Sequence, residues 1–450
     1  MARDARFDGR FFIAVTSTRI YCRPVCPAPQ PKPSNIIYFP SAAAAAEAGF
    51  RPCLRCRPET SPGTPAWLGT SVSVSRGLKL IAEGALDETG VDKLAERLGL
   101  GARHLRRMFL QHLGATPVAV AQTRRVHFAK KLIDETELPM TQVAMASGFG
   151  SIRRFNATFQ KLYGRTPGDL RRATARERRA AEAGVYTFRL GYRPPYNWAA
   201  IIGFLGQRAI PGVETITLDE YRRTISLDGK SGFISVRPVF AKHLLELQIE
   251  FPEPGALFRI VERVRNIFDL RADPTDVDQH LRRDARLKPL VQANTGMRVP
   301  GCWDGFEIAV RAILGQQVSV KAATTMAGRI VAEFSDASIF PAAAALADAD
   351  LARIGLTKQR AHSIRELAAA VARKEVSFDA SLGLESFEEA MIRLPGIGPW
   401  TAQYIAMRIG EPDAFPSGDL YLRNFAKESE AWRPWRAYGA MYIWSGHHSL

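Results

Sequence analysis

The sequence predicts a multidomain protein that is mainly α-helical and has α+β parts. Its 450 residues exceed what one hydrophobic core normally serves. Four of its five cysteines fall within residues 22–56, which indicates a small separate domain. The apolar residues then recur with a helical period, alternate as in a strand near residues 243–251, and return to a helical period. We therefore expect a small four-cysteine domain, an all-α domain, an antiparallel α+β subdomain and a second all-α domain, in that order.

The positive charge of the chain is concentrated in its N-terminal part. The net charge is +16, and residues 1–185 contain 29 Lys and Arg against 15 Asp and Glu, whereas residues 186–450 contain 32 against 30. Such a local excess indicates a polyanionic partner, most simply nucleic acid, although a basic face that only keeps the protein solvated is the alternative. No apolar run is long enough for a membrane span, and the charged N-terminus does not match a signal peptide. A cytoplasmic protein without a membrane partner is expected.

Two short cysteine pairs predict a metal site. Cys22 and Cys26 lie in "YCRPVC", and Cys53 and Cys56 follow 26 residues later in "RPCLRC". In a reducing compartment this spacing indicates four thiolates around one tetrahedral Zn²⁺ rather than disulfides. A four-thiolate zinc usually has only a structural role. Four arginines crowd the ligands and would suit a nearby phosphate: Arg23, Arg51, Arg55 and Arg57.

Residues 9–59, from "GRFFIAVTSTRIYCRPVC" to "FRPCLRCRPE", resemble the N-terminal domain of the Ada family of bacterial regulators of the response to DNA alkylation. The resemblance implies that Cys22 takes a methyl group from a methylated DNA phosphate and keeps it. Zinc would hold the sulfur as a nucleophilic thiolate, and methylation would remove one negative charge from the site and weaken its repulsion by DNA. Spacing alone does not choose between Cys22 and Cys26.

The next segment predicts two helix-turn-helix units. Residues 91–114 place apolar side chains at helical spacing around a glycine-containing turn, residues 140–167 repeat the pattern, and a helix at about 120–134 joins them. The doubled pattern resembles the AraC-type DNA-binding domain, and this resemblance implies that the second helix of each unit enters a major groove. A helical bundle with a basic surface is the alternative. The expected DNA-binding side chains are Arg103, Arg106, Arg107, Arg153 and Arg154.

The C-terminal half begins with strands and ends with helices. Asp228-Gly229 predicts a hairpin turn, and residues 243–251 alternate as a strand. The loop in "LPGIGPWTAQYIAMR", residues 394–408, predicts a helix-hairpin-helix in which Gly396 and Gly398 let backbone N–H groups approach a DNA phosphate. Asp419 follows the hairpin in "DAFPSGDLYLR".

Residues 186–450 resemble the AlkA family of DNA-3-methyladenine glycosylases. The resemblance rests on the hairpin and on three further phrases: "RPPYNWAAIIGFLGQRAIPGVE", "RVPGCWDGFEIAVRAILGQQVSV" and "WRPWRAYGAMYIW". It implies that Asp419 is catalytic and stabilises the positive charge that develops on the sugar as the base leaves. It also implies that Gln317 fills the gap left by a flipped base. It also implies an aromatic pocket for that base, formed by Trp400, Tyr404 and Trp444.

Two features of this half bear on its activity. Lyase relatives carry a lysine where this chain has Trp400, so a monofunctional glycosylase is expected. The connection from Asp419 to Trp432 is shorter than in the AlkA family, which leaves an impaired site as an alternative. Core packing is the alternative role for the tryptophans, and it is the expected role for Trp432 and Trp435.

The sequence thus predicts a fusion: a DNA alkylation-damage response protein that senses methylphosphotriesters, activates transcription and excises 3-methyladenine and related bases. Expected partners are double-stranded DNA and RNA polymerase, and a nucleoid-associated monomer is expected. Two alternatives remain: a transcriptional regulator with an impaired glycosylase domain, and a glycosylase that its zinc domain and helices merely tether to DNA. The expected parts are an Ada-like zinc domain at 1–70, the AraC-type domain at 71–173, a linker at 174–185, the AlkA-like α+β subdomain at 186–296 and an all-α helix-hairpin-helix glycosylase domain at 297–450.

Overall fold

The structure, a computed structural model, describes residues 3–62, 72–174, 184–335, 338–378 and 383–448. The chain divides into two units. Unit 1 contains residues 1–194, 239–262 and 270–273, and unit 2 contains residues 195–238, 263–269 and 274–450. Residues 63–71 and 175–183 lie outside the described residues; the second range covers most of the linker expected at 174–185, and the domain boundaries stay predictions. Within the described ranges, no helix has both the length and the hydropathy needed to cross a membrane.

A small sheet in unit 1 brings the two cysteine pairs together. Its strands, in the order β3-β1-β2-β4, are β1 (Phe12–Val15), β2 (Ile20–Cys22), β3 (Ile36–Phe39) and β4 (Arg51–Pro52). The strand β2 runs parallel to β4, with Tyr21 opposite Pro52. Because β2 ends at Cys22 and Cys53 follows β4 directly, this parallel pairing places the two distant motifs side by side. The helix α1 (Ala42–Glu47) packs on the sheet through small alanine side chains.

Eight helices lie in the described stretch from residue 72 to residue 174, and they confirm both predicted helix-turn-helix units. The first unit is α4 (Val91–Arg97) with α5 (Ala102–Leu113), the second is α7 (Met140–Ala146) with α8 (Ile152–Tyr163), and α6 (Pro117–Glu135) joins them. Gly114 and Gly164 end α5 and α8 in the left-handed conformation that glycine tolerates best. The eight helices are α2 (Val72–Ala82), α3 (Ala85–Glu88), α4 (Val91–Arg97), α5 (Ala102–Leu113), α6 (Pro117–Glu135), α7 (Met140–Ala146), α8 (Ile152–Tyr163) and α9 (Pro167–Thr174).

The cysteine-bearing sheet is held against α6. The hydroxyl of Tyr21 lies 2.9 Å from Nε2 of His127 on α6, and burial lowers the pKa of His127, which favours the neutral imidazole. Arg57 reaches Asp134 of the same helix at 3.0 Å. The hydroxyl of Ser41 donates to the backbone oxygen of Leu113 at the end of α5, 2.7 Å away. The four-cysteine part and the helix-turn-helix part therefore share one packed interface.

Strand pairs follow in each unit. In unit 1, β5 (Val185–Gly191) pairs antiparallel with β9 (Leu244–Glu250), which confirms the strand predicted at 243–251. In unit 2, β6 (Glu214–Ile216), β7 (Tyr221–Leu227) and β8 (Lys230–Val239) form an antiparallel meander. The turn between β7 and β8 is the predicted Asp228-Gly229, and both residues have positive φ, as a tight two-residue hairpin turn requires.

The predicted helix-hairpin-helix is confirmed, and it consists of α18 (Leu384–Ile392) and α19 (Pro399–Arg408). The helix α19 begins at Pro399, because proline suits the first position of a helix. The helices that follow β5 are α10 (Trp198–Gly206), α11 (Leu257–Ile267), α12 (Pro274–Leu281), α13 (Leu287–Ala293), α14 (Gly305–Leu314), α15 (Val320–Phe334), α16 (Ala343–Ala347), α17 (Lys358–Ala372), α18 (Leu384–Ile392), α19 (Pro399–Arg408) and α20 (Arg436–His448).

A buried ion cluster lies in the core of unit 2. Arg223 on β7 contacts Glu307 on α14 at 2.8 Å, and Arg311, one turn further along α14, contacts Glu307 at 3.1 Å and Glu214 at 3.3 Å. Burial by itself would raise the pKa of Glu307, but the two arginines outweigh it and hold that pKa below its usual value. The cluster has two positive and two negative members, so its formal charges balance.

Replacing Arg223 by methionine should lower the free energy of unfolding by about 3 kcal/mol, because Glu307 loses its shortest ion pair while it stays buried. The measurement is denaturant unfolding of the full chain, followed by tryptophan fluorescence. The matched control is Arg222→Met, which changes an exposed neighbour and should stay within about 0.5 kcal/mol of the parent. Equal losses in the two variants would contradict the stabilising role of the cluster.

Candidate functional site

The structure assembles the four N-terminal cysteines into one cluster. The sulfur atoms of Cys22, Cys26, Cys53 and Cys56 all lie within 4.8 Å of one another. Tetrahedral zinc with Zn–S bonds of about 2.3 Å requires sulfurs roughly 3.8 Å apart, so the cluster fits one Zn²⁺ ion. Cys53 and Cys56 are buried, whereas Cys22 and Cys26 are partly exposed. The two pairs therefore differ in their access to solvent.

The arginines around this cluster are of two kinds. Two of the four that were predicted to suit a nearby phosphate are paired with carboxylates instead. Arg23 contacts Asp8 through Nε at 2.9 Å and donates to the backbone oxygen of Cys56 at 3.0 Å. Arg57 is paired with Glu59 at 3.1 Å. These two cations hold the domain together, so a phosphate would have to compete with their carboxylates. Arg51 and Arg55 are exposed.

The basic side chains of both helix-turn-helix units face solvent. On α5 and α8 the apolar residues point into the core: Leu105, Phe109, Leu113, Phe155, Phe159 and Tyr163 are buried. The opposite faces carry the exposed residues Arg103, Arg106, Arg107, Arg153 and Arg154. Each second helix thus presents a positive face, the arrangement that major-groove reading requires.

The hairpin between α18 and α19 has the backbone that its sequence predicts. Gly396 has a φ of +75°, and a Cβ atom there would lie 2.0 Å from the hydroxyl of Ser363, so only glycine fits. Gly398 is the N-cap of α19, and a Cβ atom there would meet nothing within 4 Å. The N-terminal end of α19 is therefore open to an approaching group.

Gln317 lies on the surface, in the loop between α14 and α15. Its φ of +55° is in the left-handed region, a strained conformation for a residue other than glycine. The preceding Gln316 donates through Nε2 to the backbone oxygen of Gly396 at 2.8 Å and to the hydroxyl of Thr401 at 3.0 Å. The hairpin therefore anchors the loop that exposes Gln317.

Four aromatic rings lie together in unit 2. Trp400 and Tyr404 are one turn apart on α19, with ring centroids 5.6 Å apart and an interplanar angle of 11°. Tyr404 lies 6.4 Å from Trp444 of α20, which brings the three predicted pocket residues together. Phe204 of α10 also stacks with Trp444, with ring centroids 6.4 Å apart. We define these four residues as the aromatic cage.

Sequence reasoning missed Phe204. It stands in the phrase "AAIIGFLG" on a helix whose residues are mostly apolar, where a phenylalanine is expected to serve the core. Its place in the cage is seen from its contact with Trp444, which lies 240 positions away. A single sequence does not reveal a contact over that distance.

Asp419 adjoins the aromatic cage. Its Oδ1 accepts hydrogen bonds from Nε1 of Trp444 at 3.1 Å and from the backbone N–H groups of Tyr421 at 3.0 Å and Leu422 at 3.3 Å. All three donors reach the same oxygen, and within the described residues Oδ2 accepts none. The hydrogen bonds to Oδ1 thus orient the carboxylate, and Oδ2 can accept a hydrogen bond from another group.

The short connection after Asp419 is held by packing. It forms two 3₁₀-helices, Leu422–Phe425 and Glu428–Trp432. The guanidinium of Arg286 lies 3.6 Å above the ring centroid of Phe425, and Nε1 of Trp432 donates to Asp284 at 2.9 Å. Trp432 is 1% exposed and Trp435 is buried, in agreement with their expected core role. The connection therefore supports the aspartate despite its length.

Arginines surround the hydroxyl of Tyr404. Arg408, which is 2% exposed, donates to this hydroxyl at 2.9 Å and to the backbone oxygens of Pro300 at 2.6 Å and Gly301 at 2.8 Å. Burial would raise the pKa of Tyr404, but Arg408, Arg208 and Arg311 together lower it below its usual value. This end of the cage is electropositive.

Family models match four parts of the chain. Residues 1–59 match the metal binding domain of Ada, residues 94–173 a helix-turn-helix domain, residues 187–304 the AlkA N-terminal domain and residues 310–442 the HhH-GPD superfamily of base excision DNA repair proteins. Their order agrees with the order of the predicted parts.

Similar proteins of known name match the same parts of the chain. The chain is 41% identical over 469 residues to the probable bifunctional transcriptional activator/DNA repair enzyme AlkA of Mycobacterium tuberculosis, covering 99% of this chain and 94% of the relative. It is 31% identical to the DNA-3-methyladenine glycosylase 2 of Escherichia coli, over 58% of this chain and 96% of that protein. The solved structure of a 3-methyladenine DNA-glycosylase from Archaeoglobus fulgidus matches 58% of this chain and 99% of its own, with a TM-score of 0.51 at 21% identity, which concerns the fold alone.

Replacing Cys53 by serine should abolish stoichiometric zinc binding, because one of four ligand sulfurs is lost from a closed site. The measurement is the metal content of the purified chain by elemental analysis. Cys302→Ser is the matched control and should retain one zinc per chain, since Cys302 lies outside the cluster. A Cys53→Ser protein that keeps a full equivalent of zinc would contradict the four-thiolate site.

Proposed function

Because the chain belongs to the family of the bifunctional transcriptional activator/DNA repair enzyme AlkA, we propose that it senses methylated DNA phosphates, activates transcription and excises 3-methyladenine and related alkylated bases. The observation that supports the repair activity is the hydrogen bond from Nε1 of Trp444 to Asp419. It places a carboxylate next to an aromatic cage, and the cage lies beside a helix-hairpin-helix. That combination suits a DNA glycosylase. The sensing half rests on the four-cysteine cluster.

The glycosylase reaction assigns a role to each candidate residue. The hairpin backbone at Gly396 and Gly398 holds a phosphate, and Gln317 occupies the space of the flipped nucleotide. The damaged base stacks in the aromatic cage. The bond between C1′ and the base nitrogen then breaks, and its electron pair leaves with the base. Asp419 stabilises the positive charge that develops on the sugar.

Hydrolysis completes the reaction. A water oxygen bonds to C1′ and gives up a proton to the free oxygen of Asp419, so the products are the released base and an abasic site. Trp400 stands where a lyase would need an amine nucleophile, so no covalent enzyme-sugar intermediate forms. The packed connection after Asp419 favours an active site over the impaired alternative.

Methyl transfer needs a sulfur that DNA can reach. The thiolate of Cys22 attacks the methyl carbon of a methylphosphotriester, the S–C bond forms as the O–C bond breaks, and the electron pair stays on the phosphate oxygen, which regains its negative charge. When bound, zinc keeps such a sulfur deprotonated at neutral pH. Arg51 and Arg55, which are exposed, are the arginines that would meet the phosphate.

Methylation also changes the affinity for DNA. Four thiolates on one Zn²⁺ carry a charge of minus two, and one thioether reduces it to minus one, so repulsion by DNA falls. The zinc site and both helix-turn-helix units lie in unit 1, which would let this change strengthen promoter binding and recruit RNA polymerase. The protein would act as a monomer on the nucleoid in the cytoplasm.

Asp419→Asn should lower the single-turnover rate of 3-methyladenine release from methylated duplex DNA by at least about 100-fold, because the charge that stabilises the sugar cation is lost. Asp219→Asn, which changes an exposed aspartate of the same unit, is the control and should keep the parent rate. Absence of release from the folded, zinc-loaded parent would favour the regulator with an impaired glycosylase domain.

Incubation with a duplex that contains a methylphosphotriester should add one methyl group to the full chain, on Cys22, because Cys22 is partly exposed and the resemblance selects it. The measurement is peptide mass mapping after proteolysis, with unmethylated duplex as the control. A methyl group on Cys26 would overturn the assignment of Cys22, and absence of any uptake would favour a zinc domain that only tethers a glycosylase to DNA.

A further inference from the structure

We propose that Arg360 is a positioning residue for Gln317. It holds the peptide group that precedes Gln317, so that the side chain of Gln317 is already directed outward when a damaged nucleotide flips. The inference rests on the proposed glycosylase function and adds to it a residue of α17, a helix to which that function assigns no role. We call residues 315–319, between α14 and α15, the insertion loop.

The insertion loop holds Gln317 in a conformation that this residue does not favour by itself. Its φ of +55° lies in the left-handed region, which is unfavourable for a residue with a Cβ atom. The side chain is exposed, and within the described parts of the chain it forms no hydrogen bond that could compensate. A strained conformation of this kind persists only where neighbouring contacts impose it. Those contacts are made by the residue before it.

Gln316 is held from two sides. Its Nε2 donates to the backbone oxygen of Gly396 at 2.8 Å and to the hydroxyl of Thr401 at 3.0 Å. Its own backbone oxygen accepts a hydrogen bond from the guanidinium of Arg360. That oxygen belongs to the planar peptide group that joins Gln316 to Gln317, so Arg360 fixes the plane from which the φ rotation of Gln317 starts.

The helix that carries Arg360 also packs against the hairpin. Ser363 follows one turn later on α17 and is buried, and its hydroxyl lies where a Cβ atom at position 396 would come within 2.0 Å. The hydroxyl of Ser363 is itself held by the backbone oxygen of Gln359 at 3.0 Å. The helix α17, the hairpin and the insertion loop therefore form a closed ring of contacts, which fixes the distance between a phosphate at the hairpin and the side chain of Gln317.

Arg360 is well suited to hold a single oxygen. It is partly exposed, and among the residues that the structure describes it forms no ion pair with a carboxylate. A charged donor makes a stronger hydrogen bond than a neutral one, and here no carboxylate from the described ranges competes with the backbone oxygen of Gln316 for it.

The position of Gln317 should matter most where the damaged base is firmly paired. Flipping a nucleotide breaks its base pair and its stacking, and a side chain that fills the gap offsets part of this cost. A mismatched base has already lost part of its pairing energy, so it depends less on the inserted side chain. A residue that only stabilises the fold would slow excision of paired and mismatched bases equally.

The test measures single-turnover release of 3-methyladenine opposite thymine, its normal partner, and opposite cytosine, a mismatch, in duplexes of otherwise identical sequence. Arg360→Met should lower the rate opposite thymine about tenfold and the rate opposite cytosine by less than about threefold. The matched control is Arg373→Met, which changes an exposed arginine at the other end of α17 and should leave both rates unchanged.

A double-mutant cycle shows whether Arg360 acts through Gln317. Gln317→Ala should by itself cause the same loss opposite thymine, and adding Arg360→Met to it should lower that rate by less than about a further twofold. Losses that multiply in full would mean that Arg360 contacts DNA on its own or only stabilises the fold. Either result would overturn the positioning role.

Arg360→Gln is a second variant at the same position, because it keeps a polar side chain that is too short to make the same contact. It should show the same dependence on pairing and on Gln317, and it decides the matter if Arg360→Met does not fold. Equal losses on the two duplexes, or a ratio of the two rates that stays at the parent value, would overturn the role of Arg360. Absence of release from both duplexes by the parent chain would instead overturn the proposed glycosylase function.

Discussion

Burying a guanidinium without losing its hydrogen bonds is the constraint on which unit 2 depends. Arg408 lies at the end of α19 and reaches the backbone oxygens of Pro300 and Gly301, so the helix that carries Trp400 and Tyr404 is fixed to the segment before α14. Arg223 joins β7 to α14 through Glu307. A buried arginine with an unmet donor would cost several kcal/mol, so these contacts leave α19 little freedom to shift. The orientation of the aromatic cage follows from them.

The same arrangement determines the electrostatics of the cage. Where carboxylates meet the arginines, as at Arg311, the charges cancel; where backbone oxygens meet them, as at Arg408, the positive charge persists next to the site. Structural arginines thereby become part of the chemical environment of a bound base. The hydrogen bond from Trp444 holds Asp419 beside the cage, so the site contains both a carboxylate and a buried guanidinium group.

Unit 1 solves a different problem, which is to bring two distant cysteine pairs together and connect them to the DNA-reading helices. The parallel pairing of β2 with β4 does the first, and the contacts of Tyr21 and Arg57 with α6 do the second. Because these contacts reach the helix that joins both helix-turn-helix units, the proposed change of charge at Cys22 would arise on a body that also carries both second helices. The four-cysteine cluster and the helix-turn-helix units thus share one interface.

By itself the sequence determined the features that local pattern encodes: the cysteine spacing, the two helix-turn-helix units, the turn at Asp228-Gly229 and the hairpin at Gly396. Each depends on residues a few positions apart, so its physical cause is visible in a short stretch. The resemblances supplied the roles of Cys22 and Asp419, which stay predictions.

Only the tertiary structure decided which arginines are exposed to solvent and which contact carboxylates or aromatic rings. It placed Arg23 and Arg57 against carboxylates, Arg286 on the ring of Phe425, and Arg208 with Phe204 in the cage beside Tyr404. In the printed sequence all four are ordinary basic residues. Their partners are fixed by how the elements pack, and Phe425 lies more than a hundred positions from Arg286, beyond the reach of any local pattern.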